Sequence, residues 1–199
     1  MTDLWELEKQ IYSQGYKLVC GGDEAGRGPL AGPVYAAAVI LPRDAVIPGL
    51  NDSKKLTERK REELFEPIKT TALSYGIAFA TVEEIEELNI LNATFLAMNR
   101  AIAQLELQPE LALIDGNRNS GIELNSQCVV KGDSLCADIA AASVLAKVSR
   151  DRYMLQMDEL YPQYHFRQHK GYGTKLHYEA LREYGPSPIH RLSFLRKMH

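Results

Sequence analysis

The sequence predicts an α/β fold, a sheet flanked by helices with a helical C-terminal appendage, on three observations. Two apolar runs, Lys17–Asp23 and Val34–Leu41, are continuous rather than alternating, as in strands buried on both faces. Strand-like and helix-like segments then alternate to about residue 161. From residue 162 onward only loops and helices are indicated, so 17–161 is expected to form the core and 162–199 the appendage of one domain spanning 1–199.

Each element has its own signal. Asp3 suits an N-cap for a short helix that Gly15 would stop. Thr57 should cap a helix running to about Thr70, with Pro67 kinking or shortening it. Ser74–Ala80 reads as a third strand. Thr81-Val82-Glu83-Glu84 is a capping box for a short acidic helix. A further helix near Leu91–Leu105 places Leu91, Phe95, Met98 and Ile102 on one face. Glu110–Ile114 and Gln127–Val130 complete the strands. A long helix follows, with Asp133 or Ser134 as its expected cap and Pro162 as its stop. The tail holds a Gly-Tyr-Gly loop, a helix near Lys175–Tyr184, a Gly185-Pro186-Ser187-Pro188 turn and a terminal helix.

Composition excludes several classes. Apolar residues make up 45% and charged residues 25%, the balance of an ordinary globular protein. The longest apolar run, Val34–Leu41, is too short to span a bilayer, and the start lacks signal-peptide character. Cys20, Cys128 and Cys136 form no C-x-x-C pair, which fits a reduced, cytoplasmic interior. The net charge of −3 does not suggest nucleic acid, its distribution says more, and on charge alone a solvated helical surface is the better reading. Residues 1–149 carry 14 Lys/Arg against 21 Asp/Glu, while 150–199 carry 9 against 5 and all five histidines. An acidic body could hold metals while a basic tail attracts phosphates; a solvated helical surface would give the same counts.

The chemistry centres on residues 20–34, Cys-Gly-Gly-Asp-Glu-Ala-Gly-Arg-Gly-Pro-Leu-Ala-Gly-Pro-Val. A strand ends in Asp23 and Glu24, and a glycine-rich loop carrying Arg27 follows. Gly26-Arg27-Gly28-Pro29-Leu30-Ala31 fits the loose dinucleotide pattern G-x-G-x-x-G/A, but Pro29, Pro33 and the following strand deny it the helix that pattern must open. Asp115 and Asp133 also follow predicted strands. Strand ends of one polarity converge on a crevice in α/β sheets. Four carboxylates gathered there repel one another unless protonated or bridged by cations. Two Mg²⁺ ions roughly 3.5–4 Å apart would neutralise them and clamp a phosphodiester. Taken singly, each acid could be a cap or turn residue, and Asp133 alone reads as a plain helix cap; the metal reading of the set needs a family resemblance beside it.

The stretch 20–34, with Asp52-Ser53-Lys54-Lys55-Leu56, Ile114-Asp115-Gly116, Lys131-Gly132-Asp133 and His169-Lys170-Gly171-Tyr172, closely resembles the bacterial ribonuclease HII family, in order from about Lys17 to Phe194. The resemblance implies a ribonuclease H-like fold with a mixed five-stranded sheet. It implies an endoribonuclease that cuts the RNA of RNA–DNA hybrids, and duplex DNA on the 5′ side of single embedded ribonucleotides. Asp23, Glu24, Asp115 and Asp133 would hold Mg²⁺ or Mn²⁺, and the products would carry 3′-hydroxyl and 5′-phosphate ends. Gly26, Arg27 and Gly28 resemble the family loop that contacts the ribose 2′-hydroxyl, and Tyr172 the tyrosine that packs on the next sugar. The implied cellular work is ribonucleotide removal and RNA-primer processing. Type HIII relatives carry an extra N-terminal domain, for which the sixteen residues before the first strand leave no room; Asp rather than Glu at 133 points the same way. No membrane partner is expected, and a monomer is.

Lys54, Lys55 and Arg118 are candidate phosphate contacts. Arg59, Lys60 and Arg61, set among Glu58, Glu62 and Glu63, read as a solvated helix face. His165 and His169 have the spacing of a zinc pair, against which Tyr164, Phe166 and the flanking glycines argue. Two rival functions remain: a two-metal nuclease for DNA junctions, which an all-DNA substrate would reveal, and a non-catalytic binding module, which the full acidic set opposes.

Overall fold

The computed structural model describes residues 4–51 and 56–196. Five strands, β1 (Val19–Ala25), β2 (Val34–Ile40), β3 (Ser74–Ala80), β4 (Leu111–Asp115) and β5 (Ser126–Val129), form one sheet in the order β3-β2-β1-β4-β5. The pairs β1–β2 and β2–β3 are antiparallel, and β1–β4 and β4–β5 are parallel, so the sheet is mixed. Helices cover both faces: α1 (Glu6–Ser13), α2 (Glu58–Thr71), α3 (Val82–Ala103) and α4 (Ala137–Leu160), followed by α5 (Phe166–His169), α6 (Lys175–Tyr184) and α7 (Leu192–Leu195). None of the described helices is long and apolar enough to cross a membrane.

Strand alternation divides the core. Ala37 and Val39 of β2 pack with α2 and α4, while Ala36, Ala38 and Ile40 pack with α3. The small side chains of α4, Ala140 to Ala142 among them, let it lie close on β1 and β2. At the nearest point a Cβ on Gly21 would come 2.3 Å from the backbone of Asp138, so no larger residue fits there.

Local signals are met where local chemistry decides. Thr57 accepts from the amide of Lys60, Thr81 and Glu84 form the reciprocal capping box, and β3 and α6 have their expected bounds. Pro67 lies inside α2 without ending it, and α7 is a single turn. The two helices expected on either side of residue 90 run on from one another with a break at Asn89 (φ 67°), whose side chain accepts from the amides of Leu91 and Asn92. One expectation is corrected: neither Asp133 nor Ser134 caps α4, because both lie in a 3-10 turn, Gly132–Ser134, and Cys136 holds the N-cap position. Asp3, Lys54 and Lys55 lie outside the described residues.

Candidate active site

The parallel pairing of β1 with β4 sets Gly22 beside Ile114, so Asp23 and Asp115 follow as neighbours at one edge of the sheet. Both lie inside their strands rather than after them. The third acid arrives by a reversal after β5. Lys131 takes the left-handed conformation (φ 58°), and the amide of Gly132 donates to Asp115 Oδ1 at 2.6 Å. That bond ties the turn carrying Asp133 to β4. Carboxylate oxygens of Asp23, Asp115 and Asp133 lie within 4.8 Å of one another, and Asp23 and Asp133 are only 4% and 2% exposed.

Glu24 belongs to the opposite side of β1. Alternation turns it away from the α4 face that Asp23 occupies. It borders the same cleft but is not one of the close three, and its Oε1 stands 3.4 Å from Arg27 Nη1. Burial first, then the charges of Glu24 and Asp115, push the Asp23 carboxyl well above its ordinary value; hydrogen bonds from Ser143 and the Glu24 amide pull the other way. A site of this kind, rich in oxygen donors and strained by its own charge, suits a hard divalent cation.

The cleft, about 250 Å³ in volume, is lined by Asp23, Glu24, Gly26, Arg27, Gly28, Arg61, Ser143, Lys147 and Tyr172. The glycine loop and Tyr172, distant in sequence, are thus on one wall. Tyr172 is 44% exposed, its ring 6.0 Å from the Arg150 guanidinium carbon. The two loop glycines differ. Gly26 has φ 101°, and a Cβ there would stand 2.0 Å from Arg150 Nε, whereas a Cβ on Gly28 would sit 3.6 Å from Tyr172. Gly26 is therefore demanded by the protein's own packing. Arg118 lies in a separate, smaller hollow with Glu24, Arg27, Asp115 and Phe95.

Three cleft residues escaped the sequence reading. Arg61 is not part of a solvated face: its side chain is 13% exposed, 4.0 Å from Asp151, and Nη1 donates to Leu56 O. Ser143 and Lys147 come one helical turn apart from α4, and Lys147 Nζ bonds Asp151 Oδ1 at 2.7 Å. Polar residues four apart in an otherwise small and apolar helix were the available signal.

His169, His177 and His190 form a structural cluster, not a metal site. His169 Nε2 donates to Tyr164 O and its Nδ1 accepts from Gly171, so both ring nitrogens are engaged. His177 Nδ1 donates to Tyr172 O, and its Nε2 accepts from His190 Nε2 at 2.9 Å. Acceptor-only carbonyls select these neutral tautomers. Burial lowers His177 and His190 to about 4 each, so both are neutral at ordinary pH.

A family model described as Ribonuclease HII matches residues 20–197. The chain belongs to the ribonuclease HII family. It is 57% identical over 194 residues to a ribonuclease HII of Endomicrobium trichonymphae, covering 97% of this chain and 92% of that protein. It is 50% identical over 194 residues to that of Caldicellulosiruptor bescii, covering 98% and 94%. Among solved structures it resembles ribonuclease H2 from Pyrococcus horikoshii, at 26% identity and a TM-score of 0.75, over 92% of this chain and 97% of that one. The fold is also that of Bst-RNase HIII, solved in complex with Mn²⁺, at 19% identity and a TM-score of 0.67, over 87% and 65% of the two chains. Membership of the ribonuclease HII family makes the chain a ribonuclease H-type endonuclease, a hydrolase.

Proposed function

We propose that this ribonuclease HII cuts the RNA strand of RNA–DNA hybrids and, in duplex DNA, the bond 5′ to a single ribonucleotide. The observation that carries the reading is convergence: Asp23, one of the three close aspartates, lines one cleft with Glu24, the Gly26–Gly28 loop and Tyr172. Asp23, Asp115 and Asp133 would hold the metal, with Glu24 at the cleft's border as the fourth acid. Two Mg²⁺ or Mn²⁺ ions, when bound, supply an activated water and neutralise charge at the phosphate.

The chain's own residues do the rest. Arg27, Arg61 and Lys147 bring positive charge to the cleft wall for phosphate, with Lys54, Lys55 and Arg118 as further contacts. The Gly26–Gly28 backbone reads the 2′-hydroxyl, which offers both a donor and an acceptor. Tyr172 packs on the sugar beyond, where a hydroxyl would crowd the ring. The 2′-hydroxyl is then a recognition handle and not the nucleophile, so the products are a 3′-hydroxyl and a 5′-phosphate. Ribonucleotide removal and RNA-primer processing by a cytoplasmic monomer fit such an activity.

The test is cleavage of an end-labelled DNA duplex with one ribonucleotide, resolved beside an alkaline ladder. The expected product begins with the ribonucleotide carrying a 5′-phosphate, and EDTA abolishes it. A cyclic phosphate, or a cut 3′ of the ribonucleotide, would refute the mechanism. Cleavage of the all-deoxy control at a similar rate would instead support the junction-nuclease alternative. Tyr172→Ala should lose more on this duplex than on continuous hybrid; equal losses would assign Tyr172 to general affinity.

A further inference from the structure

Loop 26–33 contains no helix or strand, yet its carbonyls are almost all bonded inward to two arginines. Arg191, fully buried, donates to Gly26 O (2.6 Å), Arg27 O (3.0 Å), Pro29 O (2.9 Å) and Gly32 O (2.8 Å). Arg150, equally buried, donates to Ala31 O, Pro33 O and Lys170 O. Two buried guanidiniums in one place are costly. Burial, then the Arg150 charge, pulls the pKa of Arg191 down. Neither makes an ion pair among the described residues, so carbonyls alone take their hydrogens.

The geometry has a directional consequence. No cis peptide is present among the described residues, and a trans peptide points its C=O and the next N–H in opposite directions. With the carbonyls of Gly26 and Arg27 held inward, the amides of Arg27 and Gly28 face outward, and both residues line the cleft. Among the described residues no protein acceptor takes either amide. The amide behind the Pro29 carbonyl, that of Leu30, is by contrast taken by Gly171 O at 2.8 Å. Arg191 is itself anchored, since its amide donates to Leu30 O and His190 bridges to Ala31. Successive outward amides make a cradle for one oxygen atom.

We propose that Arg191 is the positioning residue for ribose selection: by holding two carbonyls inward it presents the Arg27 and Gly28 amides to the 2′-hydroxyl oxygen. The inference rests on the reading of this cleft as a ribonucleotide site. Arg191→Lys keeps the charge but cannot span four carbonyls.

The experiment compares the full-length wild type with Arg191→Lys, binding a one-ribonucleotide duplex and its all-deoxy twin with Ca²⁺ in place of the catalytic ion. Melting and Mn²⁺ titration of both proteins run in parallel. The variant should lose at least tenfold of the preference for the ribonucleotide duplex, keep its Mn²⁺ affinity, and show a raised KM more than a lowered kcat. An Arg191→Ala variant should regain the preference with added guanidinium ion. A folded variant with unchanged preference would overturn the inference. Equal losses on both duplexes would assign the amides to a phosphate oxygen and overturn it too. A wild type without preference would refute the reading of the cleft, and the inference with it. Should the variants not fold, amide exchange of the wild type decides: the Arg27 and Gly28 amides must be protected by the ribonucleotide duplex and not by the all-deoxy one, and equal exchange would overturn the inference.

Discussion

The molecule gathers two groups of acids, and they are opposites. Asp23, Asp115 and Asp133 crowd together, and Asp23 lines a cleft. Glu8 and Asp138 are sealed in the core with no exposure at all. Glu8 Oε1 accepts from Cys136 Sγ and the Asp138 amide, and Asp138 Oδ1 accepts from the Leu41 amide at 2.9 Å. These bonds pin α1, the start of α4 and the end of β2 together. Burial raises both carboxyls, and for Asp138 the charge of Glu8 adds to it. The second oxygen of each has no protein partner among the described residues, as suits carboxyls that keep a proton. Burial alone therefore does not set the two groups apart; three carboxylates within reach of one ion do.

The comparison can be broken most sharply by activity. Asp115→Asn should cut turnover by roughly a thousandfold or more while hybrid affinity changes little, because a metal-holding carboxylate serves the transition state more than docking. Asp138→Asn should leave turnover of the folded protein near that of the wild type. Steady-state rates with Mg²⁺ beside binding titrations decide this, and near-normal turnover of Asp115→Asn would exclude it from the metal set.

A smaller effect sharpens the contrast through stability. Mn²⁺ at a hundred times its dissociation constant should stabilise the wild type by about 2.7 kcal/mol in denaturant unfolding. Asp138→Asn should gain as much, and Asp115→Asn markedly less. Equal gains in all three proteins would place the ion elsewhere.

The smallest effect is a slope. A carboxyl raised in the folded state holds its proton there after the unfolded chain has released it, so stability falls as pH rises from the ordinary carboxyl range toward the folded value. Asp138→Asn removes that contribution, and its unfolding free energy in EDTA should decline less with pH than the wild type's. Parallel pH profiles would show that Asp138 is ionised in the core.

What could be read from the sequence was what neighbours in the chain decide. The caps at Thr57 and Thr81, the bounds of β3 and α6, and the apolar runs of β1 and β2 all depend on contacts within a few residues. Asp23, Asp115 and the glycine loop carry the local marks of strand ends and turns, whereas Asp133 was singled out only as a member of the set that the family resemblance supports. Its structural role was not: a helix cap was expected where the tertiary fold makes a left-handed reversal tied to Asp115.

The sequence by itself determined the elements, their alternation and the residues available for chemistry. Tertiary structure decided which of those residues meet. Asp133 joins Asp23 only because β1, β4 and β5 lie parallel side by side. Arg150 and Arg191, which count toward a basic tail in the composition, are instead spent inside the protein on carbonyls more than a hundred residues away. The same charge that is cheap in water is expensive in a core, and only partners brought from afar offset that cost. Such partners leave no mark in the local sequence, so the acids of the site could be named from it, while the arginines holding the Gly26–Gly28 loop could not.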